Sequence, residues 1–512
     1  MAILNVGGDL NYKTIGTALA AAKDGDTVVV GGGTYYEAIV LSTPGVSVVA
    51  ADGASVTVDG RYSPALFGDG NYAMSNGRKC GAGQLPSLAA DNARRGGWVY
   101  AGANLNINGY SPLVRLTGNG TAISGLTLRN APGRFIVVEG NDCTAEDCRL
   151  DFCYGGAINI ATGSERAVLR GLTVTRSSVK KFDVGAPGAG PDAVATTIIC
   201  GGVDTLIEGN TICYNYGEGI SADKNSVRPI VRGNVCHTNY HWSLGFNYTD
   251  GATITGNIVY WCDNLIDALG KGWPADGFVG GSERASLDNP KEARSPNISI
   301  ANNLFVGYLK RPWLLGSTGR PVQFIDSRIE NNTIIGRVTP GKAGHTFTWT
   351  ALKTALHDGA TVAGNVILWE PDALGISYQP GGKVTWLDNL YSAVPPSGMR
   401  SEGDIVTREP VLVNPYVPIL GQFDPYALDM PDVATTFDID NYRPIADGAA
   451  VGRGALGVAE PDTPEPPDGP DYGPIIAQLE GNIARLEDAG LAVGAAIVDT
   501  LELIDRLRTA AG

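Results

Sequence analysis

The chain has 512 residues, enough for one large core or several, and its 69 glycines with only 18% charged residues depart from ordinary globular usage. Hydrophobic content of 43% excludes a disordered chain, and no apolar run reaches the ~20 residues of a membrane span. A net charge of −15, from 38 basic and 53 acidic residues, argues against a nucleic-acid partner, whose phosphates need surplus Lys and Arg.

The opening residues Met1 to Asn5 show no basic stretch followed by an apolar one, so a secretory leader is not expected there. Ile15, Ala18, Leu19 and Ala22 recur at helical spacing and predict a short amphipathic helix. Thr27 to Val30 then reads as the first strand, and residues 61–110 read as an insertion. The eight cysteines fall at no zinc spacing, so they are expected to be small apolar core residues, with no metal and no disulfide.

From residue 206 a phrase recurs in which an apolar residue, a spacer, Gly or Asn, and then Asn lead into a strand. It reads Ile207-Glu208-Gly209-Asn210-Thr211, Val231-Arg232-Gly233-Asn234-Val235 and Ile254-Thr255-Gly256-Asn257-Ile258. Further copies centre on Asn303, Asn332, Asn365 and Asn389, and looser ones lie near Leu126, Cys148 and Leu172. Asn210, Asn234 and Asn257 are 24 and 23 residues apart, 257 to 303 is 46, and 365 to 389 is again 24. A unit of this length holds three short strands and three turns, which is one rung of a parallel β-helix. Gly or Asn before the repeated Asn suits a left-handed backbone, and stacked Asn side chains can bond along the axis. The early helix would cap the open first rung.

The stretches Tyr12 to Ala22, Gly25 to Val30 and Gly33 to Glu37 together resemble the opening of right-handed β-helix proteins of the pectate-lyase-like superfamily. The resemblance extends over roughly residues 10–457, where Asn441 to Gly457 looks like a closing strand. It implies an all-β right-handed parallel β-helix solenoid with an N-terminal capping helix. It leaves activity open, because the superfamily includes lyases, hydrolases, epimerases and non-catalytic virion spikes.

If the repeated Asn marks one turn, the strands beyond the next turn form one sheet: Phe135–Val138, Ala157–Ile160, Thr196–Ile199, Gly219–Ala222, Ser243–Phe246 and Leu265–Ala268. Enlarged rungs at 177–192 and 271–296 would wall this sheet into a groove. Glu218, Asp223, His241, Asp267 and Lys271 are its candidate acid, base and nucleophile groups. Glu218/Asp223 and Asp223/Asp267 are its two carboxylate pairs for glycoside hydrolysis. Lys224, Trp242, Trp273 and Trp313 are candidate sugar-binding residues, the tryptophans as stacking platforms. Each also has a structural reading: Glu218 as a turn residue between glycines, Asp223 with Lys224 as a solvated pair, His241 as a packed ring, and Trp242 as core. No cofactor is expected, and Ca2+ is compatible with these carboxylates without being derived from them.

After Gly457 the composition changes. Residues 458–474 are rich in Pro and acids and read as a stiff linker. Positions 476, 479, 483, 486, 490, 493, 497, 500, 504 and 507 alternate steps of three and four, a heptad seam broken only by Gly490 and Thr500. Residues 475–510 are therefore expected to be a helical coiled-coil segment for oligomerisation, trimeric by first choice, or for anchoring. The predicted organisation is 1–60 cap and first rungs, 61–110 insertion, 111–457 β-helix, 458–474 linker and 475–510 helix. The expected protein is a phage tail-fibre, tail-spike or head-fibre type chain on a virion surface, binding host polysaccharide, with virion proteins as further partners. The alternatives are a secreted polysaccharide lyase or glycoside hydrolase on an acidic glycan, and a structural spacer whose C-terminal helix binds a partner.

Overall fold

The computed structural model describes residues 1–8, 10–60, 112–131, 133–179, 195–223, 226–265, 276–281, 294–307, 309–316, 322–338, 345–350, 357–379, 381–424, 427 and 429–457. The predicted insertion at 61–110, the linker and the heptad helix lie outside these residues. The described strands form three parallel sheets in which each strand pairs with its counterparts one rung away. The first sheet includes Leu206–Glu208, Ile230–Arg232 and Thr253–Thr255, and the second Thr211–Cys213, Val235–His237 and Ile258–Trp261. The third includes Thr196–Cys200, Glu218–Asp223, Trp242–Asn247 and Asp276–Gly281. The chain visits first, second and third sheet in turn, giving the right-handed parallel β-helix that the resemblance implies.

The repeated Asn lies at the turn from the first sheet to the second, as its spacing predicts. The Asn210 side-chain amide donates to Asn234 Oδ1 at 2.8 Å, and Asn234 donates to Asn257 at 2.9 Å. The ladder continues through Asn303, Asn332, Asn365 and Asn389. Each Oδ1 also takes the backbone N–H of the previous ladder residue, for example Asn210 N to Asn234 Oδ1 at 3.0 Å. Each buried ladder Asn is thus satisfied by partners on both neighbouring rungs, for example Asn234 by Ile207 O and Asn257 Oδ1, with Arg232 O on its own rung. The residue before each Asn has a left-handed backbone, with φ of 62° at Gly209, 61° at Gly233 and 56° at Asn302.

The predicted helix spans Ile15–Ala21, capped by Thr14 and with Ile15 and Ala18 buried. Glu37 holds its start, taking the N–H groups of Ile15 and Gly16 at 2.8 Å each. The first strand is Ile3–Val6, ahead of the helix, and it pairs in parallel with Thr27–Val30. Thr27 therefore starts the second strand of this sheet, because Leu4 and Val6 already supply the alternation for one strand before it.

First-sheet strands bury one face, as in Leu206–Glu208 and Ile230–Arg232. The later strands of the second sheet, such as Leu304–Gly307 and Thr333–Gly336, bury both. Ile212, Val259, Phe305, Ile334 and Ile367 face the solenoid core. The alternating residues Cys213, Tyr260, Leu304, Val306, Ile335 and Leu368 join a second cluster with Val411, Leu412, Ile419, Tyr442 and Ala450. The C-terminal segment 409–457 thus lies as a strap over the outer face of the second sheet. The predicted closing strand is not formed. Ile439–Tyr442 is a 3-10 turn, and the strap's pairing consists of isolated antiparallel bridges such as Leu412 to Pro444. An aromatic stack pins it: His237 on Tyr260 at 4.6 Å, Tyr260 on Phe437 at 4.7 Å, and Phe437 on Tyr442 at 5.5 Å. Burial pushes His237 down to about 3, so this ring stacks in its neutral form.

The seven described cysteines are free and buried, as packing residues should be. Burial pushes the Cys148 thiol up to about 12 and those of Cys200 and Cys262 up to about 11. Thiolate is the reactive form, so these groups are expected to resist iodoacetamide at neutral pH. Mass spectrometry should find these seven cysteines unmodified in the folded protein and modified after denaturation; fast native labelling of Cys200 would contradict this burial.

Candidate functional site

The third sheet carries the described candidates. Its strands alternate between residues that enter the main core, such as Ile220, Ala222, Leu244, Phe246 and Phe278, and residues that face outward. Two positions before the first of these core residues, each strand presents a residue at its leading end. Counting back from Ile198, Ile220, Leu244, Phe278 and Trp313 gives Thr196, Glu218, Trp242, Asp276 and Arg311. These positions stack along the axis at about 4.8 Å per rung.

Glu218 is the centre of this line. Its Oε2 accepts the Thr196 hydroxyl at 2.6 Å, and its Oε1 meets His241 Nδ1 at 2.9 Å. Glu218 Oε1 accepting here places a His241 proton on Nδ1 and leaves Nε2 as the ring's other nitrogen. The flanking glycines give Glu218 its place: a Cβ at Gly217 would meet Ala195 O at 1.9 Å, and one at Gly219 would meet Ser243 O at 2.0 Å. The Glu218 side chain is 14% exposed and the His241 side chain 40%, so the carboxylate lies inside and the imidazole faces solvent. His241 has φ of 77°, and Trp242 N–H donates to Tyr240 O at 3.2 Å across it. That is a γ-turn of the rare, strained hand, a backbone state that costs about 1–3 kcal/mol for a residue with a side chain.

One rung beyond, the His241 carbonyl accepts Asp276 N–H at 3.0 Å. Asp276 is held in two bonds by Arg311, at 2.8 and 2.5 Å. Burial lowers the Arg311 pKa, but the two Asp276 bonds outweigh it and the net direction is upward. Thr196, Asp276 and Arg311 were not among the sequence candidates. The signal that finds them is the fixed offset from the core residue of each third-sheet strand.

Other candidates fall elsewhere. Asp223 is buried at the far end of the strand that begins with Glu218, five residues away or about 16 Å along it. That separation lies beyond the roughly 5–9.5 Å that a carboxylate pair needs for glycoside hydrolysis. Trp313 is a core residue and no sugar platform, fully buried between Phe278 at 4.7 Å and Phe347 at 5.9 Å. Its strand position has the inward parity. Trp242 is also buried, in a small cluster with Val279 and Leu314 on the outer side of the sheet. Ser221 and Ser243 are buried there as well, so this face is not an open trough at those positions. The strand after Trp242–Asn247 is Asp276–Gly281, while Leu265 ends a 3-10 turn at Asp263–Leu265, so 265–268 does not supply that rung. Lys224, Asp267, Lys271 and Trp273 lie outside the described residues. Among the described residues no group of three or more His, Cys, Asp or Glu is arranged to hold a metal ion. No described helix is long and apolar enough to cross a membrane.

Residues 113–272 match a family profile described as right handed beta helix region. No curated protein sequence matches the chain. Among solved structures, the chain is similar to XylC in complex with xylose, at 11% identity over 80% of this chain and 86% of that one, with a TM-score of 0.49. It is also similar to pectate lyase Pel9A, at 13% identity over 89% and 92% with a TM-score of 0.44. A third is the Dettilon tailspike protein, at 11% identity over 77% and 63% with a TM-score of 0.39.

Proposed function

We propose that this chain is a fibre- or spike-type surface protein of a virion that holds host polysaccharide along the leading end of the third sheet and acts on it by proton transfer at His241. The observation that carries the reading is the Glu218–His241 pair, held across two rungs of the solenoid with the imidazole more open to solvent than the carboxylate. A carboxylate that fixes the tautomer of an exposed His is the arrangement a general base needs. The strained turn at His241 supports a role beyond packing, since packing alone would not favour that backbone state. The virion setting and the trimer rest on the heptad seam at 476–507, because several copies would convert weak glycan contacts into avidity.

The full chain, incubated with a panel of bacterial surface polysaccharides, should retain at least one and release new reducing ends or unsaturated uronate from it. His241→Ala and Glu218→Gln should each slow release by ~100-fold or more while retention persists. If retention is seen with no product, the chain is a binder without chemistry at His241. No retention across the panel would leave the spacer reading in its place.

A further inference from the structure

The register that holds Thr196, Glu218, Asp276 and Arg311 also runs through the two rungs before Thr196 and beyond them. Counting back two residues from Ile136 and Ile158 gives Arg134 and Gly156. Arg134 is only 7% exposed, and its Nη1 is enclosed with no acceptor among the described residues. The other buried arginines have carboxylates: Arg176 has Asp151, and Arg337 has Asp263 and Glu370. Arg311, further along the line, has Asp276. The ionisable neighbour that Arg134 has is the Cys153 thiol, which burial pushes far up and keeps neutral. Desolvation lowers the Arg134 pKa, but a guanidinium stays charged in a protein.

A buried charge without a counter-charge is costly, so such a residue is a liability unless something else supplies the charge. The site is also kept clear. A Cβ at Gly156 would meet Thr196 O at 2.1 Å and Arg134 Nη1 at 2.8 Å, so glycine there leaves the guanidinium its space. The planar fork of Arg suits an oxyanion with two oxygens to offer. Along the line Arg134 is three rungs from Glu218, about 14 Å, on the side away from Arg311.

We infer that Arg134 is a preformed seat for an oxyanion substituent, a carboxylate or a sulfate ester, on a glycan lying along this line. The inference rests on the glycan reading above and adds the class of sugar and the direction from which the chain is held. A ligand charged once near Arg134 would place its next units over Glu218 and His241.

The test uses the full chain with Arg134→Met, which keeps the stem and removes the charge, and Arg134→Lys, which keeps the charge and loses the fork. The unliganded Met variant should melt at a higher temperature than wild type. Millimolar sodium sulfate or acetate, against chloride at matched ionic strength, should raise the wild-type midpoint and leave that of Arg134→Met unchanged. Polygalacturonate and dextran sulfate then separate carboxylate from sulfate ester. The preferred one should bind wild type at least tenfold more tightly than Arg134→Met, with Arg134→Lys between and uncharged dextran the same for all three. A lower melting point or failure to fold in Arg134→Met would make the guanidinium structural and overturn the seat. So would equal affinity of wild type and Arg134→Met for both polyanions. If no glycan binds but sulfate or acetate still protects only wild type, the seat stands and the glycan reading fails. If neither anions nor glycans separate wild type from Arg134→Met, the seat is wrong.

Discussion

Arg176→Met should lower stability by about 3–5 kcal/mol, the range for removing one partner of a buried ion pair. Arg176 and Asp151 are both fully buried, with Nε on Oδ1 at 2.9 Å and Nη2 on Oδ2 at 2.6 Å. Methionine would fill much of the stem's volume but leave the Asp151 carboxylate with the Thr175 hydroxyl at 2.8 Å. The same guanidinium donates to Ala427 O at 2.5 Å and to Asp429 O at 3.1 Å, so it also ties down the strap. Urea denaturation should show the loss, and limited proteolysis of the variant should cut first within 420–435. A midpoint shift worth under 1 kcal/mol, with cleavage unchanged, would refute both roles. Asp151→Asn combined with Arg176→Met should recover part of the loss, because the stranded charge is then gone.

The second large effect is expected in the asparagine ladder. Asn234→Ala should cost about 3 kcal/mol, since each stranded buried polar group costs about 1–3 kcal/mol. Asn234 Oδ1 accepts both the backbone N–H and the side-chain amide of Asn210. Its own amide donates to Ile207 O at 2.9 Å, Arg232 O at 3.0 Å and Asn257 Oδ1 at 2.9 Å. Alanine leaves two Asn210 donors without their shared acceptor and reduces Asn257 Oδ1 to the backbone N–H of residue 234, all away from water. Asn234→Asp should restore the accepting oxygen but not the donation, and would bury a charge, so it should not rescue. Hydrogen exchange of the Asn210 amide should accelerate in the alanine variant. Protection unchanged from wild type would mean the ladder contributes little.

The ladder was readable in the sequence because one side chain does one job at each rung, so its spacing shows directly. The capping helix was readable for a related reason: Ile15 and Ala18 bury at helical spacing and Thr14 caps. The strap was misread because its residues have no repeat of their own. The need for it was nonetheless visible in runs such as Leu304-Phe305-Val306 and Val366-Ile367-Leu368, apolar on both faces where a solvated sheet would alternate. Of the candidate site, Glu218 and His241 were found by residue type, and the structure joins them. Trp313 was misassigned because a tryptophan beside Pro and charges reads as exposed until strand parity is known. Asp276 and Arg311 were missed because their meaning lies in register across rungs 35 residues apart, which no local pattern carries.

The strap also sets an order on how the molecule comes into being. Tyr214 stacks on Phe423 at 4.6 Å, yet 209 residues separate them (423 − 214 = 209). At ~5–20 residues per second, a growing chain would leave that ring uncovered on the ribosome for roughly 10–40 s. Rungs can stack as they emerge, but the aromatic flank stays bare until the strap residues have been made. The nascent solenoid therefore carries an uncovered apolar side through that interval.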